Sequence, residues 1–182
     1  MTRTVYFTAT TLDGYIADDH DSLEWLFVQD IDAAGPNSHE AFMGGVGAMV
    51  MGRTTYEWVR RHLEKTDEAW SYAMPTWVFT HAELPGMDGA DIRFAQGEVG
   101  PVHAAASDAA GGKDVWVVGG GDLAGQFADA GLLDQLVVSI APVTLGSGRP
   151  LFPRRFDLEL KELARNRAFV CATYDVKRPA SA

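Results

Sequence analysis

Residues Val115-Trp116-Val117-Val118 form a short apolar run that ends abruptly in Gly119, Gly120 and Gly121. Asp122 follows, and then Leu123, Phe127 and Ala130 at helical spacing. This pattern reads as strand, tight turn and helix start. Glycines let the main chain approach a ligand closely, and the first N–H groups of a helix have no partner within it. Such a turn is a seat for phosphate. Ala48-Met49-Val50-Met51, followed by Gly52-Arg53-Thr54-Thr55-Tyr56-Glu57, has the same form. It adds two hydroxyls and a guanidinium, which fits phosphate bidentately. Two phosphate-competent turns point to a dinucleotide.

The rest of the chain alternates strand and helix patterns, which argues an α/β fold in one domain spanning residues 1–182. Strands are expected at 5–11, 46–51, 76–80, 92–94, 115–118 and 135–142. The period-two segments 158–163 and 168–176 read as a closing antiparallel hairpin. Together they predict a mixed, mostly parallel sheet of about eight strands with helices on both faces. Thr54 and Glu57 have capping-box spacing, predicting a helix that runs to His62. A second helix is expected from Val102 to Ala110. Trp25, Leu26 and Phe27 are expected to tuck into the body, and 144–150 to be a glycine-rich loop. Trp58, Trp77 and Trp116 read as core or wall residues.

The formal charge of −10 argues against nonspecific nucleic-acid binding, which needs clustered Lys and Arg. The single cysteine, Cys171, can form no internal disulfide. No apolar run approaches the ~20 residues of a membrane span, and no leader pattern opens the chain. A cytoplasmic protein is expected. There is no zinc-deaminase signature, no Walker lysine motif and no nucleophile elbow, and the histidines lack metal-ligand spacing. Gly119-x-Gly121-x-x-Ala124 matches the loose dinucleotide fingerprint, but it lies late in the chain and lacks the acid that should follow the next strand. A Rossmann reading is therefore rejected.

The ordered set Thr11–Ala17, Met51–Glu57, Trp116–Leu123, Gly131–Leu136 and Ala141–Phe152 resembles the dihydrofolate-reductase-like family. Within it, the set is most similar to the C-terminal reductase domain of bacterial riboflavin biosynthesis. The resemblance implies a three-layer α/β/α fold that binds NADPH. It places Gly52, Arg53, Thr54 and Thr55 on the 2′-phosphate and pyrophosphate side, with Thr80 and His81 by the adenosine end. Gly119, Gly120, Gly121, Asp122 and Leu123 would cradle the pyrophosphate and nicotinamide ribose, and Ala9, Ile16 and Ala17 would border the nicotinamide. It also implies a homodimer. The riboflavin-pathway reductases carry a glutamate before their glycine pair, where this chain has Val118.

The expected activity is NADPH-dependent reduction of a small heterocyclic or carbonyl compound, pterin-like or ribosylaminopyrimidine-like. Asp13, at the end of the first strand, and Tyr15 are the candidate proton donors. Segments 12–25, 38–43 and 146–152 are the expected substrate walls. A non-catalytic NADP(H)-binding module or sensor is the alternative, and an interaction protein on the same scaffold is a third reading.

Overall fold

The computed structural model describes residues 2–178. In chain order its strands are β1 (Thr4–Thr11), β2 (Tyr15–Ala17), β3 (Val46–Gly52), β4 (Thr76–Phe79), β5 (Ile92–Ala95), β6 (Asp114–Gly119), β7 (Gln135–Ala141), β8 (Arg149–Pro150), β9 (Leu158–Asn166) and β10 (Phe169–Val176). Its helices are α1 (Glu24–Phe27), α2 (His39–Met43), α3 (Arg53–Thr66), α4 (Val99–Ala109) and α5 (Gly121–Asp129). Eight strands form one sheet in the order β5-β4-β3-β6-β1-β7-β10-β9. Pairing is parallel from β5 through β7 and antiparallel at β7–β10 and β10–β9. The expected mixed α/β sheet with its C-terminal hairpin is what forms.

β3 and β6 read as nearly unbroken apolar runs because both faces are covered, whereas β1 carries Thr4, Thr8, Thr10 and Thr11. On one face, Phe127 and Ala124 of α5 and Val102 and Ala106 of α4 pack against Tyr6, Val50, Val115, Val117 and Val138. On the other, Tyr56 of α3 packs with Met49, Met51, Val78 and Trp116. Phe42 of α2 stacks on Phe7 there, with ring centroids 4.2 Å apart. No helix among the described residues is long and apolar enough to cross a membrane.

Five local expectations are corrected. The capping box does not form. Gly52 is the N-cap of α3 without a side-chain cap, Thr54 lies inside the first turn, and Glu57 pairs with Arg53 at 3.0 Å. The helix starts directly from the end of β3, so the Thr54 hydroxyl is not at a capping position. α3 also runs past His62 to Thr66, extended by the Arg60–Glu64 pair one turn apart. α4 starts at Val99, because Pro101 falls in its first turn, where no N–H is required. Trp25 is buried as expected, but Phe27 is 60 % exposed and lies against Trp58 and His62. The glycine-rich loop contains β8, which pairs with β2 as a separate two-stranded ribbon.

Candidate functional site

Parallel strands deliver their C-terminal ends to one edge of the sheet, where open α/β folds bind ligands. β3 and β6 are neighbours, with Met51 opposite Gly119. The turns that follow them therefore lie side by side, although they are far apart in sequence. The Gly120 N–H contacts Thr55 Oγ1 at 3.4 Å and ties one turn to the other. Neither α3 nor α5 has a side-chain cap at its N-terminus. Their first N–H groups are left for a ligand, and the partial positive charge there favours an anion.

A cavity of about 490 Å³ opens at this edge. Thr54, Thr55, Gly119, Gly120, Gly121 and Asp122 line it, together with Ile16 and Ala17 of β2. Both turns and the β2 ribbon thus meet at one site. The floor is closed by β8, because Gly121 sits against the carbonyls of Pro150 and Leu151. A Cβ at Gly121 would lie 2.2 Å from the Pro150 oxygen. The ribbon is locked in the same way: at Gly148, with φ of +142°, a Cβ would meet the Ala17 oxygen at 2.2 Å.

The other expected site residues lie elsewhere. Gly52 caps α3, and Arg53 is half-exposed with Glu57 as its partner. Leu123 points into the core beside Phe127. The Ala9 side chain packs with Trp25, Ala141 and Phe169. Thr80 and His81 line a second cavity of about 420 Å³ with Glu83, Leu84, Phe94 and Gln96, beyond the ends of β4 and β5. Segment 38–43 contributes nothing to the first cavity, since its Phe42 is used in packing on Phe7.

Asp13 and Tyr15 are both outside the cavity lining. The Asp13 carboxylate accepts from the Thr11 hydroxyl and from the N–H groups of Leu145 (3.1 Å) and Gly146 (2.7 Å). The Thr11 hydroxyl, followed by these two amides, holds the Asp13 carboxyl below the usual carboxylate range. These bonds give Asp13 a structural task. It joins the turn after β1 to the loop before β8. The Tyr15 hydroxyl reaches only the Gly146 carbonyl, at 3.4 Å.

Trp58 and Val118, both singled out in the sequence, line the cavity, and several lining residues were not anticipated individually: Thr8, Asp21, Leu23, Arg149, Pro150 and Pro153. Trp58 was legible, because it is three and four residues beyond Thr55 and Thr54 and so shares their helix face. Asp21 and Arg149 fall within two of the expected wall segments, but their pairing at 2.6 Å joins positions 128 residues apart. Asp122 is held by Gln126 at 2.8 Å and by Arg154, which keep its carboxyl below the usual range.

The comparisons agree with this geometry. Residues 3–168 match the model of the RibD C-terminal domain. The uncharacterized protein YwjB of Bacillus subtilis is 30% identical over 151 residues, covering 82% of each chain. The structure of a Shewanella sp. PV-4 protein named for riboflavin biosynthesis superposes with a TM-score of 0.80 at 27% identity, over 97% of this chain and 99% of that one. Dihydrofolate reductase from Enterococcus faecalis, solved with NADP(H), shares the fold with a TM-score of 0.59 at 15% identity, over 96% of each chain. With its eight-stranded dihydrofolate-reductase-like sheet and two strand-turn-helix units opening on one cavity, the chain belongs to the RibD C-terminal domain family.

Proposed function

We propose that the protein is an NADPH-dependent reductase of a small heterocyclic or carbonyl compound. One observation carries this reading: two helix N-termini without side-chain caps, on adjacent parallel strands, face a single cavity. That is the donor set a dinucleotide requires. The main chain of Gly119, Gly120, Gly121, Asp122 and Leu123 would donate to the diphosphate. Thr54 and Thr55 would add hydroxyls, and Arg53 would exchange Glu57 for the 2′-phosphate, with Gly52 allowing the close approach. Ile16, Ala17 and the Ala9 backbone would border the nicotinamide, and Thr80 and His81 would take the adenosine end. When bound, the cofactor supplies hydride. Because Asp13 and Tyr15 stand outside the cavity, the proton is assigned to water entering with the substrate.

Titration of the protein with NADPH and NADH, followed by tryptophan fluorescence, tests the cofactor. Saturable binding that prefers NADPH, weakened about tenfold in Arg53→Ala, is expected for loss of one charge-assisted contact. No binding of either nucleotide sinks the proposal.

A second reading, a nucleotide-binding module without turnover, is favoured by one observation. Both carboxylates that line the cavity, Asp21 and Asp122, are already paired with arginines. NADPH oxidation in the presence of carbonyl and pterin compounds separates the two. A cytoplasmic location and a homodimer complete the proposal, and sedimentation velocity checks the latter.

A further inference from the structure

Alternate residues of a strand share a face, so β1 turns Thr4, Tyr6, Thr8 and Thr10 to the same side. Their hydroxyls stand in a row inside the sheet. The two at the ends are bonded to other parts of the chain. Thr4 Oγ1 meets His103 Nε2 at 2.9 Å, and Thr10 donates to the Tyr15 carbonyl at 3.1 Å. The two in the middle are not. The Tyr6 hydroxyl is fully buried and has no hydrogen-bond partner among the described residues. Thr8 donates only to the carbonyl of its own neighbour, Ala9, over a long 3.3 Å.

A buried donor without an acceptor costs stability, and phenylalanine would fill the same space without that cost. The Tyr6 ring packs edge-on to Phe152 with centroids 5.5 Å apart, a contact that phenylalanine would make equally well. The hydroxyl is therefore the part of Tyr6 that core packing does not explain. Burial pushes its pKa well above the ordinary phenol value, so at neutral pH it remains an O–H donor. The polar side chain that bears on it is Thr8. Thr8 in turn lines the cavity together with Ile16 and Ala17. A threonine hydroxyl gives one proton and accepts through two lone pairs. Turned away from Ala9, Thr8 can accept from Tyr6 while its own proton points into the cavity. The pair then presents a single donor to an acceptor oxygen, and each bond of such a chain strengthens the next.

We propose that Tyr6 and Thr8 form a hydroxyl pair that is completed only when a ligand binds. Thr8 donates to the carboxamide oxygen of the nicotinamide, and Tyr6 is the positioning residue behind it. The inference rests on the reductase reading, which puts the nicotinamide beside Ala9, Ile16 and Ala17, and deepens it. The pair transfers no proton and serves to orient the ring. The unpaired Tyr6 hydroxyl of the free protein is then a cost that binding removes.

Two probes test the pair: NADPH, and adenosine 2′,5′-bisphosphate, which keeps the 2′-phosphate and lacks the nicotinamide. Each is titrated by calorimetry against the wild type, Thr8→Val, Tyr6→Phe and the double variant, and each protein is melted without ligand. Thr8→Val should weaken NADPH about tenfold and Tyr6→Phe about threefold to tenfold, as for loss of one hydrogen bond. The double variant should bind NADPH as weakly as Thr8→Val, because Tyr6 acts only through Thr8. The bisphosphate makes neither contact and should bind every variant within about twofold of the wild type. Tyr6→Phe should melt about 2–4 °C above the wild type, since it removes an unsatisfied buried group. Unchanged NADPH affinity in either single variant, an equal loss for the bisphosphate, or no gain in melting temperature for Tyr6→Phe overturns the inference while leaving the cofactor reading intact. Absence of NADPH binding by the wild type overturns both.

Discussion

Gly121 meets Pro150 so closely that a single added methyl would lie 2.2 Å from the Pro150 carbonyl oxygen. The first residue of α5 and the last of β8 are thereby in backbone contact at the floor of the cavity. Backbone gives way less readily than a flexible side chain, so Gly121→Ala is expected to cost about 1–3 kcal/mol of stability, as overpacking does. For a chain of this size, thermal denaturation should show a drop of roughly 3–10 °C. It should also lose NADPH binding. A variant that melts like the wild type would mean that β8 is not held against the turn.

Asp13 gives a prediction with a pH signature. Its folded-state pKa is lowered, first by the Thr11 hydroxyl and then by the Gly146 and Leu145 amides. The stability it contributes is present above its ordinary value of 3.8 and disappears as pH falls through the lower folded value. Asp13→Asn should therefore melt below the wild type at neutral pH, with the gap closing as pH drops below that value. A gap that stays constant with pH would show that the charge is irrelevant to the clamp.

Thr55 is the link between the two phosphate-competent turns. Thr55→Val keeps the shape and removes the acceptor of the Gly120 N–H. That contact is long, so the folded state should lose under about 1 kcal/mol. NADPH affinity should fall about fivefold to tenfold, because both the positioned amide and the Thr55 hydroxyl are affected. The comparison is a melting curve alongside a nucleotide titration. A loss in melting temperature without a loss in affinity would place the link outside the binding surface.

The strand-turn-helix units were legible because their signals are local: β-branched runs, glycines and helical spacing within about ten residues. The C-terminal hairpin was legible for the same reason, with β9 and β10 pairing from Asn166 opposite Phe169 outward. The capping role assigned to Thr54 failed on a choice that local sequence leaves open, since Gly52 ends β3 in an extended conformation and starts α3 at once. The clamp that Asp13 makes was not legible because its partners, Leu145 and Gly146, are over a hundred residues away. Asp21 and Arg149 meet because β2 pairs with β8, which puts Arg149 opposite Ala17, four residues before Asp21. Thr80 and His81 open on a separate cavity because β4 lies outside β3 and β6, an order that no single stretch of sequence encodes.

β1 lies in the middle of the sheet, and its partners are β6 and β7, so Thr4 waits for Val115 and Val5 for Gln135. During synthesis β1 has no partner strand in the sheet until more than a hundred further residues have followed it. At typical elongation rates of 5–20 residues per second, that interval lasts about 5–20 s. β1 is thus without its partner strands for much longer than chain collapse takes, and the cavity floor is completed only once Pro150 has emerged. While β3, β4 and β5 can pair with one another as they emerge, the architecture that unites two distant turns in one site leaves β1 the segment most in need of protection until β6 and β7 arrive.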